Sequence, residues 1–108
     1  MFKRKNRLTA KVKMRGKSFN TQFFILKSAE NNLDYNRFAF VISKKTEKKA
    51  VTRNRVKRVL RSCFEEIINE LKTGFDFLII IKKEAITENR KVLHTFLKEF
   101  LSKEGFIK

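Results

Sequence analysis

Arg53, Asn54, Arg55, Lys57, Arg58 and Arg61 fall within nine residues, and they include four of the chain's nine arginines. A guanidinium is a flat fork that grips two phosphate oxygens at once, where lysine offers only a point charge. Val56, Val59, Leu60, Cys63, Phe64, Ile67, Ile68 and Leu71 recur at the three- and four-residue spacing of a helix with one apolar face. On that helix Asn54, Lys57, Arg58 and Arg61 form one stripe roughly 100° wide. Arg55 lies on the far side of the stripe. Arg53 points along the apolar side, one turn before the core face begins. The helix N-terminus adds backbone N–H groups and a positive dipole end, both suited to a phosphate. The chemistry of this set is a grip on nucleic-acid backbone. The plainer alternative is a solvated charged face, and the distribution of charge decides between them.

The 108-residue chain carries 27 Lys and Arg against 11 Asp and Glu, a formal charge of +16. Residues 1–61 hold 19 basic and 3 acidic side chains, while residues 62–108 hold 8 of each. The whole excess therefore lies where the arginine cluster lies. An acidic membrane surface is the competing polyanion. A membrane binder shows basic residues around an exposed apolar face, whereas the apolar positions here are committed to a core. Nucleic acid is the better partner. No apolar run is long enough to span a bilayer. The basic start, MFKRKNRL, has no apolar segment behind it and is not read as a signal peptide. The single cysteine, Cys63, reads as a small core residue and points to a reducing, cytoplasmic setting.

Catalytic chemistry is missing. The one histidine, His94, sits in an amphipathic stretch and reads as a packing or surface residue. No Cys/His spacing suits a metal, and the three glycines are isolated, so no phosphate loop exists. Glu65, Glu66 and Glu70 spread around the polar sides of the central helix and form no convergent carboxylate set.

The elements that must position the arginines follow in order. Residues 1–7 (with Arg4, Lys5 and Arg7) read equally well as a free basic arm. A short helix over residues 8–15 ends at Gly16. Residues 19–27 read as a strand apolar on both faces, Phe23 and Ile25 against Phe24 and Leu26. A polar turn at 28–36 leads to a second strand at 37–43, and the short link favours an antiparallel hairpin. A basic loop at 44–49 precedes the central helix, which Gly74 closes as a C-terminal cap. Residues 75–82, FDFLIIIK, form a third strand whose continuous apolar run suits a central position. Strand, helix and strand suggest a parallel βαβ unit. Thr87 caps a last helix, whose apolar face is Val92, Leu93, Phe96, Leu97, Phe100 and Leu101, and Gly105 stops it. The chain is one domain, residues 1–108.

The sequence SKK at residues 43–45, followed by AVTRNRVKRVLR at residues 50–61, resembles the signature of the bacterial ribonuclease P protein subunit. The order and spacing of RNR, KR and Arg61 between two strands carry the resemblance, and NRL at residues 6–8 and FDFLIIIKK also fit. It implies an α+β fold, an α/β sandwich on a three- to four-stranded mixed sheet in the order α-β-β-(β)-α-β-α. It further implies a left-handed βαβ crossover, shared with one domain of a small-subunit ribosomal protein, against the general right-handed rule. The implied partners are the ribonuclease P catalytic RNA and precursor tRNA, with neither membrane nor DNA. The implied activity is endonucleolytic removal of the 5′ leader. The RNA supplies the reaction centre, magnesium ions are held by the RNA and its substrate, and the protein binds no cofactor of its own.

The resemblance assigns Arg53, Asn54, Arg55, Lys57, Arg58 and Arg61 to the catalytic RNA. A parallel crossover would bring Ser43, Lys44, Lys45 and Arg53 to the same sheet edge as Lys82 and Lys83. These would form a basic rim for the single-stranded leader, with Phe24 as candidate floor. The family's first helix is longer and phenylalanine-rich, and the family often has an aromatic where Leu26 aligns. It commonly has a glycine within the loop at 46–49, and often a proline where Glu84 stands. The first two departures imply a leader held mainly by charge. The alternative reading is a non-catalytic, ribosomal-type protein for structured RNA, which has no reason to keep the RNR spacing. A self-sufficient nuclease would need cleavage without an RNA partner.

Overall fold

Alternating apolar residues build four strands, and the three-and-four spacing builds two helices, in the computed structural model, which describes residues 2–8 and 16–108. Strands β1 (Lys17–Asn20) and β2 (Phe24–Glu30) precede β3 (Arg37–Val41), helix α1 (Ala50–Ile67), β4 (Phe75–Ile81) and helix α2 (Arg90–Lys103). The sheet order is β1-β2-β4-β3. β4 runs antiparallel to β2 and parallel to β3, so β3, α1 and β4 form the expected parallel unit within a mixed α+β sheet. The short helix expected over residues 8–15 lies outside the described residues.

Several expectations are corrected. Residues 19–27 are two strands, not one. The Thr21 hydroxyl donates to the Phe24 carbonyl (2.7 Å) and the Thr21 N–H donates to the same oxygen (3.0 Å), closing a turn at 21–23. β2 and β3 are not a hairpin, because β4 lies between them. The apolar run of β4 is best served by neighbours on both edges, and β2 and β3 supply them. Gly74 does not cap α1. The helix ends at Ile67 in a 3-10 turn, Ile68–Glu70, and Gly74 (φ +94°) turns the chain into β4. Asn89 rather than Thr87 caps α2, its Oδ1 accepting from Lys91 N (2.8 Å) and Val92 N (3.2 Å).

The N-terminal segment is folded rather than a free arm. Arg4–Asn6 form a 3-10 turn whose Asn6 is buried, its Nδ2 donating to the Asn36 carbonyl (2.7 Å). Leu8 N donates to the Phe38 carbonyl at 2.8 Å, so the segment lies against β3. Phe2 stacks on Phe38 with centroids 4.5 Å apart.

One sheet face carries Phe24, Leu26, Phe38, Phe77, Ile79 and Ile81. It packs under Val56, Leu60, Cys63, Phe64 and Ile67 of α1 and Leu93, Leu97 and Leu101 of α2, all buried. The opposite face, with Ile25, Lys27, Leu78 and Ile80, is half-buried. Because α1 buries Val56, Leu60, Cys63, Phe64 and Ile67, the angular position of each polar residue on it is fixed.

The two parallel strands are also locked at their starts. The Arg37 fork meets both Asp76 oxygens at 2.7 Å, and Asn31 Nδ2 donates to Asp76 Oδ1 at 2.9 Å. Burial alone would raise the Asp76 carboxyl, but the fork and the amide outweigh it and hold the group below the usual carboxylate range. An acid at the start of an otherwise apolar strand was the sequence signal for such a partner.

Candidate nucleic-acid interface

Lys49 precedes α1 in extended conformation and supplies no side-chain cap. The first-turn N–H groups therefore keep their positive dipole end for another acceptor. Behind this end the helix divides its polar residues among three directions. Glu66 and Glu70 face α2. Arg90 meets Glu66 Oε1 at 2.7 Å, His94 Nε2 stands 2.9 Å from Glu66 Oε2, and Lys98 stands 3.5 Å from Glu70. The Arg90 hydrogen bond holds the Glu66 carboxyl below its ordinary value. Glu65, one turn after Arg61, ends the basic stripe itself, and its Oε2 accepts the Phe2 N–H at 2.9 Å.

Along this stripe Asn54, Arg58 and Arg61 are exposed and Lys57 is half-buried. Arg58 points most directly away from the core. Among the described residues no carboxylate pairs with Lys57, Arg58 or Arg61. The acids of α1 are spent on packing the fold, and the ridge keeps its charge. Exposed Lys44, Lys45, Lys48 and Lys49 extend that charge beyond the helix start.

The other two arginines of the cluster are turned onto the protein. Arg53 Nη1 donates to the carbonyls of Glu47 and Lys48, both at 2.8 Å. It clamps the basic loop from below rather than standing free at the rim. Arg55 Nη2 donates to the Ile86 carbonyl at 3.0 Å and ties α1 to the turn before α2. Its angle, opposite the ridge, is the sequence signal for this different role.

At the far end of the sheet, Lys45, Lys82, Lys83 and Glu84 surround one open hollow of about 390 Å³ floored by the half-buried Ile80. The parallel crossover does bring these lysines to one edge. Phe24 is not the floor. It is 1 % exposed and lies under α2, with the Phe96 and Phe100 rings edge-on at 5.8 and 5.7 Å. Alternation along β2 turns Phe24 to the helix-covered face and Ile25 to the open one. Ser43 is also occupied locally, its Oγ 2.9 Å from Thr46 Oγ1 and accepting Thr46 N–H at 3.1 Å. The Lys82 ammonium bonds Asn20 Oδ1 and the Thr21 carbonyl. Of the expected rim, Ser43, Lys44, Lys45 and Lys83 are exposed, and Lys44, Lys45 and Lys83 are its exposed cations.

Arg4, Lys5 and Arg7 are exposed on the folded N-terminal segment, and the Lys5 ammonium sits 4.5 Å from the Tyr35 ring centroid. A cleft of about 550 Å³ separates this segment and β3 from α1, with Arg7, Phe40 and Arg61 among its walls. Sequence reading overlooked it, because no spacing rule puts residue 2 beside residue 40. Burial pushes the Cys63 thiol up, so it stays protonated in the core. Among the described residues no group of three or more His, Cys, Asp or Glu is placed to hold a metal ion. Among them, too, no helix is long and apolar enough to cross a membrane.

Comparison with known proteins bears on the family and the fold. The ribonuclease P protein component of Thermoanaerobacter sp. (strain X514) is 36% identical over 93 residues, covering 86% of this chain and 79% of that one. That of Clostridium botulinum (strain Loch Maree / Type A3) is 32% identical over 103 residues, 94% of this chain and 92% of that one. The solved RNase P protein from Thermotoga maritima superposes with a TM-score of 0.74 at 27% identity, covering 82% of this chain and 83% of that one. The model of the Ribonuclease P family matches residues 2–105, nearly the whole chain, and the chain belongs to that family.

Proposed function

We propose that this protein binds the catalytic RNA of ribonuclease P through the α1 ridge and assists that RNA in removing the 5′ leader of precursor tRNA in the cytoplasm. The observation that carries the reading is the ridge of Asn54, Lys57, Arg58 and Arg61, whose cations have no acidic partner among the described residues. Phosphate oxygens would supply the missing counter-charge, and the helix dipole adds to it. Arg53 and Arg55 act at this interface by fixing the loop and the turn that flank the ridge, where their remaining N–H groups stay available to RNA. Arg4, Lys5 and Arg7 extend the basic surface from the N-terminal side.

The leader lies along the basic sheet end, near Lys44, Lys45, Lys82 and Lys83, over the aliphatic hollow floored by Ile80. With Phe24 buried, charge rather than stacking on this ring holds it. The protein contributes binding and orientation. The reaction centre and its magnesium ions belong to the RNA and its substrate.

The test is reconstitution. Purified protein added to ribonuclease P RNA at low magnesium should produce leader cleavage of precursor tRNA, while the protein alone produces none. Tight RNA binding with no gain in cleavage would instead favour a ribosomal-type binding protein. Cleavage without the RNA would overturn the assignment of the reaction centre.

A further inference from the structure

The cleft between the N-terminal segment, β3 and α1 has a wall of aromatic rings. Phe2, Phe38 and Phe40 lie nearly parallel. Phe2 and Phe38 are 11° apart in plane, Phe38 and Phe40 11°, and Phe2 and Phe40 21° with centroids 6.3 Å apart. Phe38 is buried, whereas Phe2 and Phe40 keep part of their surface open. The Arg61 guanidinium carbon stands 5.7 Å from the Phe40 centroid. Arg7 lines the same cleft from the other side.

The wall is held in place. Phe2 N–H is bound by Glu65, Asn6 by the Asn36 carbonyl, and Leu8 N–H by the Phe38 carbonyl. A volume of about 550 Å³ is in the range of small-ligand sites. The cleft thus joins a flat apolar surface to two cations, one of them Arg61 of the ridge, and to one carboxylate, Glu65, which is engaged by the Phe2 N–H. A ligand that satisfies both must carry a planar ring system and a negative charge. An unpaired nucleotide does so, and structured RNA offers such bases in loops and bulges, to be stacked on aromatic rings or guanidinium planes.

We infer that this cleft takes an unpaired nucleobase of the catalytic RNA, stacked on the Phe2/Phe40 edge beneath Arg61, with its phosphate toward Arg61 and Arg7. The inference rests on the RNA-binding reading of the ridge and adds a base contact to what is otherwise a grip on backbone. It also explains why the N-terminal segment is pinned beside α1. Its first ring completes the stacking surface.

The experiment is equilibrium binding of ribonuclease P RNA across a salt series, for wild type, Phe40→Leu, Phe40→Tyr and Phe2→Leu. Loss of one stacked base weakens binding by about 5- to 150-fold. Phe40→Leu should fall in that range with the salt dependence unchanged, because no cation is removed. Phe40→Tyr keeps the ring and should bind as wild type. Phe2→Leu changes no residue of the buried core, so it gives the answer even if Phe40→Leu folds poorly. Its affinity should also fall at constant salt slope. Wild-type affinity in Phe2→Leu and in folded Phe40→Leu overturns the inference and leaves the ridge reading intact. A wild-type protein without salt-dependent RNA binding overturns both.

Discussion

Phe24→Ala separates a core residue from a ligand contact. The ring is 1 % exposed, meets Phe96 and Phe100 edge-on, and pairs through β2 with Ile81 of the central strand. Truncating a buried phenylalanine costs about 3–5 kcal/mol, from lost transfer energy and the cavity left behind. The two edge-on pairs argue for the upper half of that range, since each contributes about 0.5–1.5 kcal/mol beyond burial. A chain of 108 residues has an unfolding entropy near 2.1 cal/mol/K per residue, so a loss of about 4–5 kcal/mol should lower Tm by roughly 18–22 °C. Differential scanning calorimetry of the free protein measures this. Leader affinity, read as the difference between long- and short-leader substrates at a temperature where the variant is folded, should hold. A Tm within about 2 °C of wild type, together with a lost leader contribution, would refute the burial argument and return Phe24 to the leader site.

Arg58→Ala should shallow the slope of log K against log salt by about 0.9, using the duplex DNA value as guide. It should leave stability within about 0.5 kcal/mol, and an unchanged slope and affinity would remove this residue from the interface. Arg53→Ala should act through the loop. Amide exchange at Thr46 and Glu47, whose N–H groups donate to the Ser43 carbonyl, should accelerate as the clamp on residues 47 and 48 is lost, and unchanged protection would refute that role. The Asp76 carboxyl is held below its ordinary value. Its contribution is therefore present in full above the unfolded pKa, near 3.9, and lost as pH falls through the lower folded value. Wild type should lose stability below about pH 4, and Asp76→Asn should be less stable at neutral pH with a smaller loss on acidification. Equal acid sensitivity in the two proteins would count against the pair. Leu60→Ala, at the fully buried centre of α1, should cost about 2–5 kcal/mol in thermal unfolding.

The central helix was legible from the sequence because its signals are local. Helical period alone sorts Val56, Leu60, Cys63, Phe64 and Ile67 to one side and Asn54, Lys57, Arg58 and Arg61 to another. The buried class of the first five follows directly. Strand β4 was legible for the same reason, since six of its seven residues are apolar and five of them, residues 77–81, are consecutive, which suits a sheet interior. The order of Arg, Asn and Lys after a strand was also enough to indicate the family before any fold was in view.

What the sequence left open depends on which strand lies beside which. Residues 24–30 and 37–41 look like hairpin partners across a short link, and only the insertion of β4 between them shows otherwise. Pairing is a competition among all strands for hydrogen-bond edges, so no stretch of chain encodes it alone. The face occupied by Phe24 followed from that pairing, because β2 is apolar on both sides and local alternation cannot say which side the helices cover. The fate of Arg53 and Arg55 was likewise tertiary. A guanidinium at the start of a helix can meet phosphate or backbone carbonyl with the same geometry, and the choice depends on where residues 47, 48 and 86 come to rest. The cleft of Phe2, Phe40 and Arg61 joins three distant parts of the chain. Its existence is decided by the docking of the N-terminal segment on an edge strand, a contact whose free energy is shared among Asn6, Leu8 and Glu65 and visible in none of them separately.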